Sequence, residues 1–295
     1  MSQTEQSRTR IGVAYAVAAF SSWGLNPFYF KAVAYIPTLE ILGHRIVWSM
    51  LLLLPLILFS RQWPQVTKAL ADRKTLITLA ATSIIVGANW LLYIHTVETG
   101  RVLQSSLGYY MNPLVNVLLG RVVLGERLGR AQAVAVLLAA AGVLNLAIAY
   151  GEVPWLGLGL AGTFAVYGLL RKIVAVEALP GLFIETVMLF PFAAGALLYF
   201  PGSFGRIDWG TNLLLILAGP VTFLPLLWFT CAARRLKLSV LGFFQFISPS
   251  CQFLLAIFAF GEHFGRAHYV TFALIWIAIA IFTLGPRFRR EPAVT

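Results

Sequence analysis

Segments of about 20 apolar residues follow one another along almost the whole chain. Each is long enough to cross about 30 Å of hydrocarbon as a helix. Runs at 11–33, 38–60, 75–97, 102–124, 130–149, 154–174, 180–200, 211–233, 238–260 and 267–286 predict ten transmembrane helices. The connections are short. The longest, from Arg61 to Lys74, carries Arg61, Lys68, Arg73 and Lys74. No segment is long or polar enough for a soluble domain. The first run, from Ile11 to about Val33, is too long for the apolar part of a cleavable signal peptide and reads as an uncleaved first span.

Composition supports the pattern. The 295 residues are 59% hydrophobic and 11% charged, and the mean hydropathy is +0.83. A soluble domain carries about 25% charged residues, so lipid must be the solvent for most of this chain. The formal net charge is +11, but its basic residues fall in small clusters between apolar runs rather than on one stripe, which is topology information and not a nucleic-acid footprint. With the N-terminus placed in the cytoplasm, 17 of the 22 Lys and Arg residues fall on the cytoplasmic side and 4 outside, with Arg45 inside a span. By the positive-inside rule, both termini are expected in the cytoplasm. Cys231 and Cys251 both sit in apolar segments and form no disulfide framework or metal knuckle.

The chain also resembles itself. Gly125-Glu126-Arg127-Leu128-Gly129-Arg130 recurs as Gly261-Glu262-His263-Phe264-Gly265-Arg266, 136 residues on, and Pro113 and Pro249 precede the two motifs at the same distance. Leu107-Gly108-Tyr109-Tyr110 pairs with Leu241-Gly242-Phe243-Phe244, Trp23-Gly24-Leu25 with Tyr167-Gly168-Leu169, and Pro37 and Glu40 with Pro180 and Glu185. Five spans, an odd number, make up each half, so the second half must sit upside down relative to the first. The expected fold is thus an all-α membrane protein of ten transmembrane helices in two inverted five-helix repeats, 11–149 and 154–286, with a linker at 150–153 and tails at 1–10 and 287–295. Inverted repeats suit secondary transporters, whose halves rock about a central site; duplication of a packing unit is the alternative, since Gly and Pro also serve close packing and kinks in membrane helices.

The repeated pattern from Pro113 to Gly125-Glu126-Arg127-Leu128 resembles the EamA repeat of the drug/metabolite transporter superfamily. Longer stretches resemble its RarD branch, whose members are named chloramphenicol-sensitivity proteins: Trp23-Gly24-Leu25-Asn26-Pro27, Glu40-Ile41-Leu42-Gly43-His44-Arg45-Ile46-Val47-Trp48-Ser49, Asn89-Trp90-Leu91-Leu92-Tyr93, and Ser106 to Tyr110 with Asn112-Pro113. The resemblance runs from about Arg10 to about Pro286. It implies ten helices, an inner-membrane location, and export or exchange of small metabolites or drug-like compounds. It supplies no substrate.

Polar residues inside the spans are the site candidates. Glu40, His44 and Trp48 are spaced by four and share a helix face, while Arg45 points about 140° from Glu40 and lies about 10 Å below the outer surface. A mid-span arginine should face protein or water. One reading makes Arg45 an anion contact and Glu40 with His44 a proton-coupling pair, His having an unperturbed pKa near 6.5; the other makes Arg45 structural and Glu40 interfacial. Asn89, Trp90 and Tyr93 form an amide-and-aromatic wall suited to a planar or amphiphilic solute, or an interfacial belt. Tyr110 and Asn112 on the fourth span and Gln245 on the ninth belong to two unusually polar spans, kinked at Pro113 and Pro249, that line a binding site or hydrogen-bond between helices. Asn26-Pro27 marks another break, without a counterpart in the second half. Glu126 and Glu262 read as structural ties between helix ends.

Neither paired intramembrane aspartates, HExxH nor GxSxG occurs, and Asp72 and Asp208 lie in connections, which argues against a membrane-embedded enzyme. There is no Walker A lysine. The expected partners are a small-molecule solute and the lipid bilayer, with no nucleic acid, metal or cofactor, in a monomer or homodimer.

Overall fold

The computed structural model describes residues 3–199, 202–259 and 265–284. Gly261 to Phe264 of the second Gly-Glu motif, the 287–295 tail and the last two residues of the expected tenth span lie outside the described residues. The described residues form twelve helices and no strand: α1 (Gln3–Ala32), α2 (Thr38–Phe59), α3 (Trp63–Ala71), α4 (Arg73–Glu98), α5 (Val102–Val122), α6 (Arg130–Tyr150), α7 (Trp155–Ile173), α8 (Ala178–Tyr199), α9 (Trp209–Ala233), α10 (Leu238–Gln245), α11 (Ile247–Phe258) and α12 (Arg266–Leu284). Hydrocarbon offers no partner to a backbone N–H, so an apolar run closes its hydrogen bonds within itself as a helix.

Eight of these segments, α2, α4, α6, α7, α8, α9, α12 and the joined α10–α11, are long and apolar enough to cross a membrane. The first and fourth expected spans are helical but fall short on that measure. α1 begins with a polar stretch from Gln3 to Arg10, and α5 carries Gln104, Ser105, Ser106, Asn112 and Asn116. Three local features differ from the expected pattern. The 61–74 connection contains α3, whose Val66 and Ala69 are buried and whose Trp63 ring lies 6.2 Å from that of Phe183. α1 and α5 run on through Pro27 and Pro113 without interruption. The ninth expected span divides at Phe246, three residues ahead of Pro249.

Chain reversals fall at positions that tolerate them. Gly125 has φ 63° and Gly151 φ 75°, left-handed values that a residue with a Cβ adopts at a cost. Asp72 and Asp208 open α4 and α9 as N-caps, accepting from the backbone N–H of Thr75 (3.0 Å) and of Thr211 (2.8 Å). The two caps stand 136 residues apart, the spacing of the Gly-Glu motifs.

Helices from the two halves of the chain interleave. α1 packs on α9 and α11, α2 on α8 and α9, α4 on α7 and α8, α5 on α7 and α10, and α6 on α12. The tightest crossing joins α5 and α7, where a Cβ on Gly108 would come within 2.7 Å of the Gly157 carbonyl oxygen. At the end of the bundle where α1 starts, which we call basal, the ends of helices are tied together. Glu126 accepts from the backbone N–H groups of Leu238 (2.6 Å) and Ser239 (2.9 Å) and from the Ser239 hydroxyl (2.7 Å). Lys172 donates to the carbonyls of Ala233 and Leu236, and Arg234 to those of Val174 and Val176. An apolar cluster including Leu53, Ile57, Phe229, Leu238 and Leu241 fills the space behind these ties. Arg171, which the sequence pattern assigns to a basic cluster at this end, is wholly buried. Its Nε lies 3.5 Å from Glu185, which also accepts from Thr82 (2.5 Å) and Tyr167 (3.3 Å). At the opposite, apical end Tyr29 donates to the Leu214 carbonyl at 3.0 Å and Tyr35 bonds Thr211 at 2.8 Å.

Candidate functional site

A cavity of about 430 Å³ opens among α1, α2, α4, α5, α7, α9, α10 and α11. Its walls come from the middle and apical parts of the helices, and Phe20 and Leu226 of the apolar basal cluster form part of its lining. Seven of the candidate polar and aromatic residues, Asn26, Arg45, Asn89, Trp90, Tyr93, Asn112 and Gln245, line it, together with Pro27 and Pro249. Among the described residues no aspartate or glutamate does.

Arg45 reaches the cavity from α2. Its Nε donates to the Thr222 hydroxyl of α9 at 2.8 Å, and that hydroxyl donates in turn to the Ala218 carbonyl at 2.7 Å. The guanidinium carbon lies 5.2 Å from the centroid of Trp90 and 5.7 Å from that of Phe30, within cation–π range. Among the described residues no carboxylate stands within ion-pair distance of it. Asn89 spends both its N–H groups on α7, at the Leu160 carbonyl (3.0 Å) and the Thr163 hydroxyl (2.8 Å), which leaves its Oδ1 for the cavity. On the α5–α10 side Asn116 donates to Asn112 Oδ1 (2.8 Å) and to Gln245 Oε1 (2.9 Å). Gln245 Nε2 is buried and has no acceptor among the described residues.

The apolar walls are aromatic. Trp23 and Phe164 meet edge to face at 5.6 Å, and both contact Phe229 beneath the cavity. Tyr93 and Tyr109 face each other at 6.3 Å. Tyr109 and Gln252, which belong to the two unusually polar spans, line the cavity too; Ser105, Tyr109 and Asn112 are spaced four and three apart and share a face of α5. Trp23, Phe30, Phe164 and Thr222 line it although sequence reasoning did not single them out as site residues.

Five candidates lie elsewhere. Glu40, His44 and Trp48 do share one face of α2, but that face meets the 202–204 segment between α8 and α9. Glu40 accepts from the Ser203 backbone N–H and, at 3.1 Å, from its hydroxyl. Trp48 donates to His44 Nδ1 at 3.2 Å, and the Phe204 ring covers both side chains at 5.2 and 5.8 Å. Tyr110 is buried against Phe272 at 5.5 Å. Pro113 is buried on α5 outside the cavity wall.

The candidate site combines a fixed cation, amide groups and aromatic rings in one enclosure, a pattern typical of small-molecule sites. The profile of the EamA-like transporter family matches residues 10–148. Protein RarD of Salmonella typhi is 48% identical over 284 residues, covering 95% of this chain and 97% of that protein. A protein of Vibrio cholerae named an uncharacterized transporter is 46% identical over 284 residues, with 95% and 94% covered. A solved crystal structure with 18% sequence identity superposes with a TM-score of 0.72 over 95% of this chain and 99% of that one, which shows the same fold. The chain belongs to the RarD branch of the EamA family in the drug/metabolite transporter superfamily and is a multi-pass membrane transporter.

Proposed function

We propose that this transporter moves a small metabolite or drug-like solute by alternating access, as an exporter or exchanger, and that the solute occupies the cavity beside Arg45. The observation that carries this reading is the cavity itself: a partly polar enclosure of about 430 Å³ whose walls come from both halves of the chain. A wall shared between two units lets the rocking of one against the other change which side the site faces.

The mechanism needs ten membrane helices in two inverted repeats, α1, α2, α4, α5 and α6 in 11–149, and α7, α8, α9, α10–α11 and α12 in 154–286. The packing supports the repeat. Exchanging the halves turns the α1–α9 contact into α7–α4, α2–α9 into α8–α4, and α5–α7 into α11–α1, while α2–α8, α5–α10 and α6–α12 map onto themselves. The Asp72 and Asp208 caps support it independently. The bias of basic residues favours a cytoplasmic basal end in a bacterial inner membrane. In that orientation the cavity lies in the outer half and the bonded basal end is the closed gate.

Glu40 and His44 face a loop rather than the cavity, so this reading gives them an apical packing role and places recognition at Arg45, Asn89, Trp90, Tyr93, Asn112 and Gln245. Counterflow in proteoliposomes tests the proposal. Vesicles preloaded with one member of a broad panel of small metabolites and drugs should accumulate that labelled solute against its gradient, and repetition under an imposed pH gradient separates proton coupling from exchange. No counterflow with any member would defeat it.

A further inference from the structure

Resting on the reading of this cavity as the solute site, we infer that the solute is an organic monoanion: a flat aromatic body, a carboxylate that meets Arg45, and a neutral hydrogen-bond acceptor that meets Gln245.

The charge follows from the lining. Among the described residues Arg45 is the one basic side chain on the cavity wall, and no acidic side chain stands there to balance it. Its protein hydrogen bond uses Nε alone; Nη1 and Nη2 donate to no protein acceptor among the described residues. Thr222 cannot turn away to release the guanidinium, because its own hydroxyl is committed to Ala218. Phe30 and Trp90 flank the group and supply no acceptor. The result is a fork of N–H donors held in one orientation, the geometry that takes a carboxylate through two parallel hydrogen bonds. A cationic solute would meet like charge with no carboxylate to offset it.

Gln245 sets the second requirement. Its Oε1 is used by Asn116, while its Nε2 is buried without an acceptor among the described residues, on a side chain that lines the cavity. A buried donor left unpaired is costly, and a solute carbonyl, nitro or ether oxygen would satisfy it. Between these two polar points the walls are rings, with Trp23, Trp90, Tyr93 and Phe164 lining the space. Faces of this kind suit an aromatic body by stacking and edge contacts.

Three probes separate the requirements: N-acetylphenylalanine, its neutral carboxamide, and N-acetylalanine, which keeps the charge and the acetyl group but lacks the ring. Binding to purified protein is followed through the change in intrinsic tryptophan fluorescence, to which Trp23 and Trp90 on the cavity wall contribute among the eight tryptophans. N-acetylphenylalanine should bind at least about tenfold more tightly than either other probe, as expected when a charge-assisted bidentate pair or a stacked ring is removed. R45Q should erase the preference for the carboxylate over the carboxamide, and R45K should keep part of it. Q245L should weaken N-acetylphenylalanine several-fold but leave 3-phenylpropanoate, which has no acetyl oxygen, unchanged. Equal or tighter binding of the carboxamide, or no binding by any of the three, overturns the inference, and this holds on the native protein even if a variant fails to fold. Anion-selective binding without counterflow would defeat the transport proposal and leave the assignment of the site; counterflow of cations or neutral solutes without a carboxylate preference would do the reverse.

Discussion

A charged side chain inside a bilayer must find a partner or water, and the two embedded arginines of this chain solve the problem differently. Arg45 meets the cavity. Arg171 is wholly buried and faces Glu185 at 3.5 Å, with Thr82 and Tyr167 satisfying the carboxylate and the Ala178 carbonyl accepting from Nη2 at 3.0 Å. Removing one member of such a pair strands a charge and costs about 3–5 kcal/mol, whereas replacing both by apolar residues of similar volume is close to neutral. E185L should therefore sharply lower the temperature at which the detergent-solubilised protein loses its monodisperse elution peak, and R171M combined with E185L should restore most of it. Equal damage from the single and double variants would show that the pair contributes through shape alone. The same expense made part of the candidate site legible in the sequence. Arg45, Asn89, Asn112 and Gln245 stand out because lipid tolerates such residues only where something in the protein receives them. Trp23, Phe30 and Phe164 do not stand out, because rings are equally at home in lipid, in a core and on a cavity wall. Glu40, His44 and Trp48 show a different limit. Spacing by four tells which side chains share a face, and here they do, but not that the face meets Ser203 and Phe204.

Helix positions were legible to within a few residues, because each span must close its own hydrogen bonds and its ends are marked by caps and turn residues. Thr75, through its hydroxyl and then its backbone N–H, holds the Asp72 carboxyl below the ordinary carboxylate range, and Thr211 does the same for Asp208, backbone N–H first. Both caps therefore stay charged well below neutral pH; their contribution is complete above the ordinary carboxylate pKa and fades only as the pH falls through the depressed values. α3 escaped notice because nine residues with only Val66 and Ala69 buried make too short an apolar stripe to register as a span. The prolines misdirect for a related reason. Pro27 and Pro113 remove one hydrogen bond each, and neighbouring helices hold α1 and α5 together through the gap, as membrane helices allow. How closely helices approach depends on pairs of small residues far apart in sequence, and the α5–α7 crossing at Gly108 and Gly157 is the closest case. A side chain at Gly157 would run into the Gln104 carbonyl and Gly108. G157V should separate α5 from α7 and destabilise the fold by about 1–3 kcal/mol or more, seen as a lower melting temperature. G162V should leave it near wild type, because nothing lies within 4 Å of a Cβ at Gly162 on the same helix. If the two variants melt together, the crossing is not tight.

For the whole molecule, alternating access requires one end of the bundle to open as the other closes, and the two ends are built differently. The basal end is held by polar ties between helices distant in sequence, above all by Glu126 at the start of α10. Gly125, at φ 63°, turns the chain there so that the carboxylate reaches across from the end of α5. A helix N-terminus is a favourable seat for a carboxylate, yet the bonds sit at the bundle end, where water can replace them. Such a tie can hold a gate shut without making it permanent. Linking α5 to α10 covalently at this point should trap the cavity facing the apical side. In a background with Cys231 and Cys251 replaced by alanine, E126C/S239C joined by a short reducible bis-thiosulfonate should lose counterflow, and reductant should restore it to the level of the unlinked variant. The linked protein should still bind N-acetylphenylalanine added from the apical side, since the link lies outside the cavity wall. Unchanged counterflow in the linked protein would mean that α5 and α10 never part at the basal end, and the gate would have to lie between another pair of helices.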